Sequence, residues 1–174
     1  GAGLVHCEAA CASGSAAFAT AYLDVASGHN DIALAVGVEK MTEIDTQTMM
    51  ELIGRAGYYF WEFHNFGITF PGYYALHATN HMAKFGTTQE DLARVSVKNH
   101  KYAALNPVAH FQREITLKDA LESRVIAWPL KLYDCCPMTD GAAAVVLASE
   151  EMVRKLKIDT HVWVAGVGYS SGTA

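Results

Sequence analysis

The amino-acid sequence predicts an α/β fold, in which helices pack on a layer of β-strands. An alanine-rich segment at residues 16–26 is followed by a nearly continuous apolar run at residues 31–38. Another apolar run occupies residues 142–147. Short runs that are apolar throughout are typical of strands buried on both faces, and helix followed by buried strand is the pattern of α/β layers.

The first predicted helix covers residues 16–26 and begins soon after Cys11. Gly28 follows this helix, and glycine readily takes the left-handed conformation that closes many helices. The next segment, residues 41–74, is rich in Met, Phe, Tyr and Gly and has weak periodicity. We expect its aromatic side chains to form a small core under long loops.

Regular elements resume after residue 74. Thr88 is a suitable N-cap with Asp91 three residues later, which resembles a capping box, and Thr116 is placed to cap a short helix. Asn106-Pro107 is expected to end the longer helix. The predicted elements are helices at residues 75–85, 89–105, 117–123 and 150–157, a strand at 142–147 after a turn at Asp140-Gly141, and a last strand at 161–167.

Composition excludes several classes of function. Of the 174 residues, 51% are hydrophobic and 18% charged, which suits a packed core and not a disordered segment. The net charge is −5 without basic clusters, so nucleic-acid binding is not expected, and no apolar run is long enough to span a membrane. The cysteines form two close pairs and not a disulfide framework, which indicates a reduced, cytoplasmic protein: Cys7, Cys11, Cys135 and Cys136.

The histidines do not predict a metal site. His77 and His81 are four residues apart and share one face of a predicted helix. No glutamate lies between them in the pattern of zinc proteases, so packing or hydrogen bonding is the favoured interpretation.

Cys11 is the candidate nucleophile. The start of a helix offers unpaired N–H groups and a positive dipole end, which favour a thiolate over a thiol. The small neighbours Ala12, Ser13 and Gly14 leave room for a substrate carbonyl, and the backbone N–H of Cys11 could donate to an oxyanion. The alternative is an inert, buried cysteine with a packing role.

Several motifs, in order, resemble the thiolase superfamily, in the branch of sterol-carrier-protein-like thiolases and archaeal acetyl-CoA acetyltransferases. They cover essentially the whole chain, and together they are far more specific than one Cys-x-Ser-Gly. They are EAACASG at residues 8–14, VGVEKMT at 36–42, FPGYYA at 70–75, VKNH at 97–100, NP at 106–107 and DCCPMTDGAAA at 134–144.

The resemblance implies a fold and a set of sites. The fold would be the N-terminal half of the layered αβαβα thiolase fold. Residues 1–40 would form its nucleophile-bearing segment, and residues 41–124 an inserted loop domain that covers CoA and the acyl tunnel. Residues 125–174 would return to the N-terminal thiolase domain. The aromatic segment would then line the tunnel. A dimer-forming strand would lie at about residues 4–8.

The same resemblance assigns roles to individual residues. Cys11 matches the acyl-accepting nucleophile. The segment from Cys136 through Pro137 to Gly141 matches a loop near the pantetheine arm of CoA, with Cys136 where many thiolases have serine. His100 is placed near the substrate tunnel, with a structural hydrogen bond as the alternative. Three cations could meet the CoA phosphates or form a solvated helix face: Lys98, Lys101 and Arg113.

The implied activity is acyl transfer between acetyl-CoA or a 3-ketoacyl-CoA and CoA, in fatty acid or isoprenoid metabolism, with CoA as substrate and no permanently bound cofactor. The family's Gly-His-Pro histidine, its Asn-Glu-Ala-Phe or His-Asp-Cys-Phe element and its Cys-x-Gly cysteine are not found in this sequence, which implies an internal fragment. A homodimer or homotetramer, and a zinc-ribbon and OB-fold partner protein, are the expected assemblies. The alternatives are a non-catalytic assembly subunit and a thiolase-like steroid side-chain aldolase.

Overall fold

The structure is a computed structural model that describes residues 3–159 and 161–171. The described residues divide into two compact units, one from residues up to Lys40 and from Asp140 onward, the other covering Met41–Thr139. The helices are α1 (Ser13–Ala26), α2 (Thr46–Gly54), α3 (Phe70–Phe85), α4 (Gln89–Ala103), α5 (Leu117–Glu122) and α6 (Glu150–Lys155). The strands are β1 (Ile32–Glu39), β2 (Val125–Ala127), β3 (Leu130–Lys131) and β4 (Gly141–Ala148).

The first unit is built on an antiparallel pair of strands covered by one helix. β1 and β4 pair along their full length, from Ile32 opposite Ala148 to Glu39 opposite Gly141. Helix α1 packs on one face, where Ala21, Ala35 and Leu147 are buried together. This arrangement confirms the two apolar runs as strands and the alanine-rich segment as their covering helix.

The opposite face of this sheet is apolar and exposed. Leu34 is 61% exposed, Val36 53% and Val38 75%, and all three alternate along β1 with residues that face α1. Both faces of the strand are therefore apolar, which explains why the sequence shows a continuous run and not an alternation of polar and apolar residues.

The end of α1 is as predicted, whereas its beginning is earlier. Gly28 has a φ of 74°, the left-handed conformation that its position suggested. The helix begins at Ser13, three residues before the predicted start, because a 3₁₀ turn at Ala10–Ala12 leads directly into it.

Two predicted strands are not formed. The segment at residues 4–8 is irregular, with Leu4 97% exposed, and so is the segment at 161–167, where Val162 is 93% exposed. A strand requires hydrogen bonds to a neighbouring strand, and within the described residues neither segment pairs with one. Val164 nevertheless packs against the core of the first unit.

The second unit is mainly helical. Its principal core joins α4 and α5 through the buried residues Ala93, Ile115 and Ala120. The short hairpin of β2 and β3 and the turn after it belong to this unit, so residues 125–139 pack with the middle segment. These residues were predicted to lie in the returning segment, which in this structure begins at Asp140.

Both predicted caps of the second unit are present. Thr88 and Asp91 form a capping box at the start of α4, as Thr116 and Asp119 do at the start of α5. Hydrogen bonds from Thr88 and Thr116 lower the pKa of Asp91 and Asp119, respectively, below the usual value. These carboxylates therefore favour folding above their unfolded-state pKa, and this contribution is lost as the pH falls through the folded-state pKa.

The segment at 41–74 is more regular than predicted. Asp45 caps α2, a π-helical turn follows at Phe60–Asn65, and Thr69 caps α3 five residues before its predicted start. The ring of Phe63 lies against Gly54, where an added Cβ would be 2.4 Å from Cδ1 of Phe63. The absence of a side chain at Gly54 therefore allows the π-helical turn to pack against α2.

None of the helices in the described part of the chain is long and apolar enough to cross a membrane.

Substitution of Gly54 tests this close approach. Gly54→Ala forces the ring of Phe63 away and is expected to lower the free energy of unfolding by about 1–3 kcal/mol. Gly14→Ala is the matched control, because Gly14 is also helical but has no atom within 4 Å of the added Cβ. The control should be neutral or stabilising by up to about 1 kcal/mol. Urea denaturation measures both, and equal effects would contradict the packing of Phe63 on Gly54.

Candidate active site

Cys11 lies at the centre of the 3₁₀ turn Ala10–Ala12, immediately before α1, and is exposed. The residue before it, Ala10, has a φ of 48°, a left-handed conformation that alanine rarely adopts. Such strained positions cluster at functional sites, where the surrounding structure holds them. Thus the backbone is bent sharply at the residue immediately before the one that presents the thiol.

Hydrogen bonds made by the side chains of Glu8 and Ser13 hold this bend in place. The N–H of Ala10 donates to Oε1 of Glu8 at 2.7 Å, and Oγ of Ser13 lies 2.9 Å from the same oxygen. Oγ of Ser13 also accepts from the N–H of Ala9 at 2.9 Å. The bond from Ser13 is the main cause that lowers the pKa of Glu8 below its usual value. The carboxylate therefore stays ionised at neutral pH, in the form that accepts both bonds.

The roles of Glu8 and Ser13 were not predicted from the sequence. The sequence indicates Ser13 only as a small neighbour of Cys11, and the spacing of five residues between Glu8 and Ser13 matches no standard cap. The signal that could have found them is the combination of an acid and a hydroxyl on either side of a helix start.

Cys7 does not take part in this bend. Its Sγ lies 3.5 Å from Oγ1 of Thr20 on α1, and its side chain is half-buried. Cys7 therefore packs against α1, and the segment around it is irregular.

The other predicted site residues lie in two different units. Gly141 is the first residue of β4 and belongs, with Cys11, to the first unit. His100, Cys136 and Pro137 belong to the second unit. The assignment of these residues to one CoA site stays a prediction.

The turn before Cys136 is anchored to α4. Ser96, a buried polar residue, donates to the carbonyl of Tyr133 at 2.8 Å and lies 3.2 Å from Oδ1 of Asp134. The other carboxylate oxygen of Asp134 accepts from the N–H of Lys131 at 2.8 Å. These bonds fix the backbone from which Cys135 and Cys136 extend.

Cys135 and Cys136 differ in their surroundings although they are neighbours. Cys136 is exposed, whereas Cys135 is half-buried. Burial raises the pKa of the Cys135 thiol above its usual value, and the nearby Asp134 and Cys136 raise it further. Cys135 is therefore held as a neutral thiol at physiological pH, which does not suit a nucleophile.

His100 is held by contacts within the second unit. Its Nδ1 lies 3.0 Å from the carbonyl oxygen of Arg113, and its ring meets the ring of Tyr133 edge to face at 5.4 Å. A carbonyl only accepts, so Nδ1 carries the proton and, in the neutral ring, Nε2 is the acceptor. The structural role is therefore present, and a role at the substrate tunnel stays a prediction.

The spacing of His77 and His81 reflects separate contacts. The ring of His77 packs on Tyr73 at 4.9 Å, and Nδ1 of His81 lies 2.8 Å from Oγ1 of Thr87. Across the described residues, no group of three or more His, Cys, Asp or Glu side chains is arranged to hold a metal ion.

Comparison with known proteins extends these observations. The family model of the thiolase N-terminal domain matches residues 2–151. The chain belongs to the thiolase family. It is 46% identical over 166 residues to an acetyl-CoA acetyltransferase of Methanothermobacter thermautotrophicus, which covers 95% of this chain. It is 40% identical over 174 residues to the benzoylsuccinyl-CoA thiolase subunit BbsB of Thauera aromatica, which covers 97% of this chain.

The fold of this thiolase chain also matches a solved structure. The Ltp2-ChsH2(DUF35) aldolase aligns with a TM-score of 0.66 and 32% identity, over 83% of this chain and 36% of that one. The α/β thiolase fold predicted from the motifs is therefore confirmed. The chain spans 42% and 43% of the lengths of the two curated relatives, so it corresponds to less than half of each.

The two neighbouring cysteines of this thiolase chain are expected to alkylate differently with pH. Because burial disfavours the charged form, Cys135 should need a higher pH than an ordinary thiol before it reacts with iodoacetamide. Peptide mapping by mass spectrometry after brief labelling between about pH 7 and 10 measures each site. Labelling in denaturant is the control, and there Cys135 should no longer need a higher pH than an ordinary thiol. Equal pH profiles of the two cysteines in the folded chain would contradict the burial of Cys135.

Proposed function

We propose that this chain supplies the nucleophilic half of a thiolase active site, which transfers acyl groups between CoA thioesters through Cys11. The observation that carries the proposal is the exposed thiol on a strained turn at the start of α1, within the region that matches the thiolase N-terminal domain. A thiol that is exposed and held in one place is suited to attack a carbonyl.

In the degradative direction, the Cys11 thiolate attacks the 3-keto carbon of a 3-ketoacyl-CoA. The bond between C2 and C3 breaks, its electron pair passes to the acetyl-CoA enolate, and a proton donor completes acetyl-CoA. The thiolate of free CoA then attacks the acyl-cysteine and releases a shortened acyl-CoA and Cys11. Starting from acetyl groups, the reverse steps make acetoacetyl-CoA.

These steps need more groups than Cys11. A base must take the thiol proton, a donor must stabilise the oxyanion, and an acid must protonate the enolate. The backbone N–H of Cys11 is our candidate for one oxyanion donor. The family's Gly-His-Pro histidine and Cys-x-Gly cysteine do not occur in this sequence, so we propose that the complete enzyme obtains both from another part of the polypeptide.

We assign CoA as a substrate and not as a bound cofactor. The segment from Cys136 through Pro137 to Gly141 is our candidate for contact with the pantetheine arm, and His100 for the substrate tunnel. The middle segment would cover CoA, and its exposed aromatic side chains, among them Phe60 and Trp61, would meet the acyl chain.

The same proposal has four further parts. The chain assembles into a homodimer or homotetramer and associates with a zinc-ribbon and OB-fold protein. It is located in the cytoplasm and acts in fatty acid or isoprenoid metabolism. One relative is named as a subunit, and the similar solved structure carries two protein names, Ltp2 and ChsH2(DUF35). Both names are consistent with function in an assembly. A non-catalytic role in such an assembly is the alternative if Cys11 is not acylated.

A second candidate function is a retro-aldol lyase acting on a steroid side-chain thioester. The similarity to a solved aldolase favours it. An aldolase breaks its carbon–carbon bond without transferring an acyl group to a thiol, so it has no need for a nucleophilic cysteine. The presence of Cys11 on its strained turn therefore favours the acyltransferase.

Intact-mass spectrometry after incubation with acetyl-CoA or acetoacetyl-CoA tests the acyl transfer. We expect an acetyl adduct on the wild-type chain and none on Cys11→Ala, because the adduct requires that thiol. Cys7→Ser is the matched control and should keep the adduct, since Cys7 contacts Thr20 and lies outside the bend.

Peptide mapping must then locate the adduct on Cys11. If the wild-type chain is folded by circular dichroism and carries no adduct, Cys11 is not activated within this chain. This outcome would overturn acyl transfer by this chain alone, and the activity would have to be sought in a longer polypeptide that also supplies the family's histidine and second cysteine.

A further inference from the structure

We propose that a groove along α4 is a docking site for an acidic amphipathic helix of another protein. The groove encloses about 310 Å³ and is open to solvent. It lies wholly in the second unit, and its lining combines three cations with three largely apolar side chains: Arg94, Lys98, Lys101, Val97, Tyr102 and Leu117. This surface is called the α4 groove below.

The cations of the α4 groove share one face of the helix. Arg94, Lys98 and Lys101 are spaced at i, i+4 and i+7, which places them in one row about 10 Å long. Only Arg94 has an ion-pair partner among the described residues, Glu90 one turn earlier. Among the residues that the structure describes, no acidic side chain lines the groove, although the whole chain has a net charge of −5. The positive row is therefore a local feature and does not follow from overall basicity.

The apolar part of the groove is accessible to a partner. Val97 and Leu117 are half-buried at the junction of α4 and α5, and Tyr102 is 64% exposed. Leu105, just after the helix, is 77% exposed. An exposed aromatic ring beside aliphatic side chains is the kind of surface on which binding energy concentrates.

The shape of the groove favours a helix over a small anion. A phosphate group is bound best where several donors converge on one point, whereas these cations are spread along a row. A partner helix with acidic residues at the same i, i+4 and i+7 spacing would place a carboxylate beside each cation. Its apolar residues would then pack on Val97, Leu117 and Tyr102.

The helices in the described part of this chain do not supply such a ligand. In α2 the only acid is Glu51, and the acids of α6 lie in its first turn, followed by Arg154 and Lys155. In α5, Asp119 is held by Thr116 in the capping box. No described helix of this chain carries an acidic row beside an apolar stripe, which is why the proposed occupant is a different protein and not a second copy.

A charge-swap experiment tests the proposal on the whole chain. Two fluorescent helical peptides share one leucine stripe and differ in carrying either Glu or Lys at the flanking positions. We expect the Glu peptide to bind the wild-type chain and to bind Lys98→Glu/Lys101→Glu about tenfold more weakly. The Lys peptide should show the opposite preference, measured by fluorescence anisotropy.

A double variant of equal charge separates docking from general attraction. Lys84→Glu/Lys155→Glu changes the net charge by the same amount, and both residues are exposed and lie outside the α4 groove. It should bind the Glu peptide as the wild-type chain does. Tyr102→Ala should weaken the binding of both peptides without changing the charge preference.

Three outcomes would overturn the proposal. One is equal loss of Glu-peptide binding in the two double variants, and another is the absence of any gain for the Lys peptide on Lys98→Glu/Lys101→Glu. The third is binding of inorganic pyrophosphate that depends on Lys98 and Lys101 when neither peptide binds, which would assign the groove to a phosphate ligand. Recovery of binding by the Lys peptide also demonstrates that the variant is folded.

Discussion

The packing of α1 on the paired strands β1 and β4 is the interaction on which the first unit depends. The two strands are adjacent in the sheet but separated in sequence by the whole second unit, Met41–Thr139. Closing so long a loop costs conformational entropy, which the eight-residue pairing and the burial of Ala21, Ala35 and Leu147 must offset. The same helix presents the turn of Cys11 at its start, so the candidate nucleophile is positioned only when this distant pairing has formed.

The sequence predicted correctly those features that depend on interactions between residues close together in the chain. The caps at Thr88 and Thr116 and the left-handed Gly28 depend on residues within a few positions, and all three are present. The missing strands at 4–8 and 161–167 are the opposite case. Their apolar residues suit a strand, but a strand forms only beside a partner, and pairing is not encoded within a short segment. The π-helical turn was missed because it depends on Phe63 fitting against Gly54.

The sequence predicted the candidate nucleophile, Cys11, but not the backbone conformation that holds it. Small neighbours, a following helix and the thiolase motifs all indicated Cys11. The left-handed Ala10 and the hydrogen bond from Ser13 to Glu8 were not foreseen, because alanine has no preference for that backbone conformation and the donors that reach a flexible carboxylate depend on the folded turn. His100 was located on α4, but its bond to Arg113 joins two segments that only folding brings together.

The exposed apolar face of the first unit implies that side-chain volume, and not polarity, decides which way each strand faces. On β1, Ala33, Ala35 and Gly37 face α1 while Leu34 and Val36 face away, and opposite Ala33 the partner strand presents the large Leu147. A slip of β1 by one residue would bury no polar group, yet it would place large side chains opposite large ones beneath the helix. Exchanges of one aliphatic residue for another on the outer side of this sheet should therefore be tolerated. A larger residue beneath α1 would instead remove the difference in side-chain volume between the two faces, and that difference fixes the register.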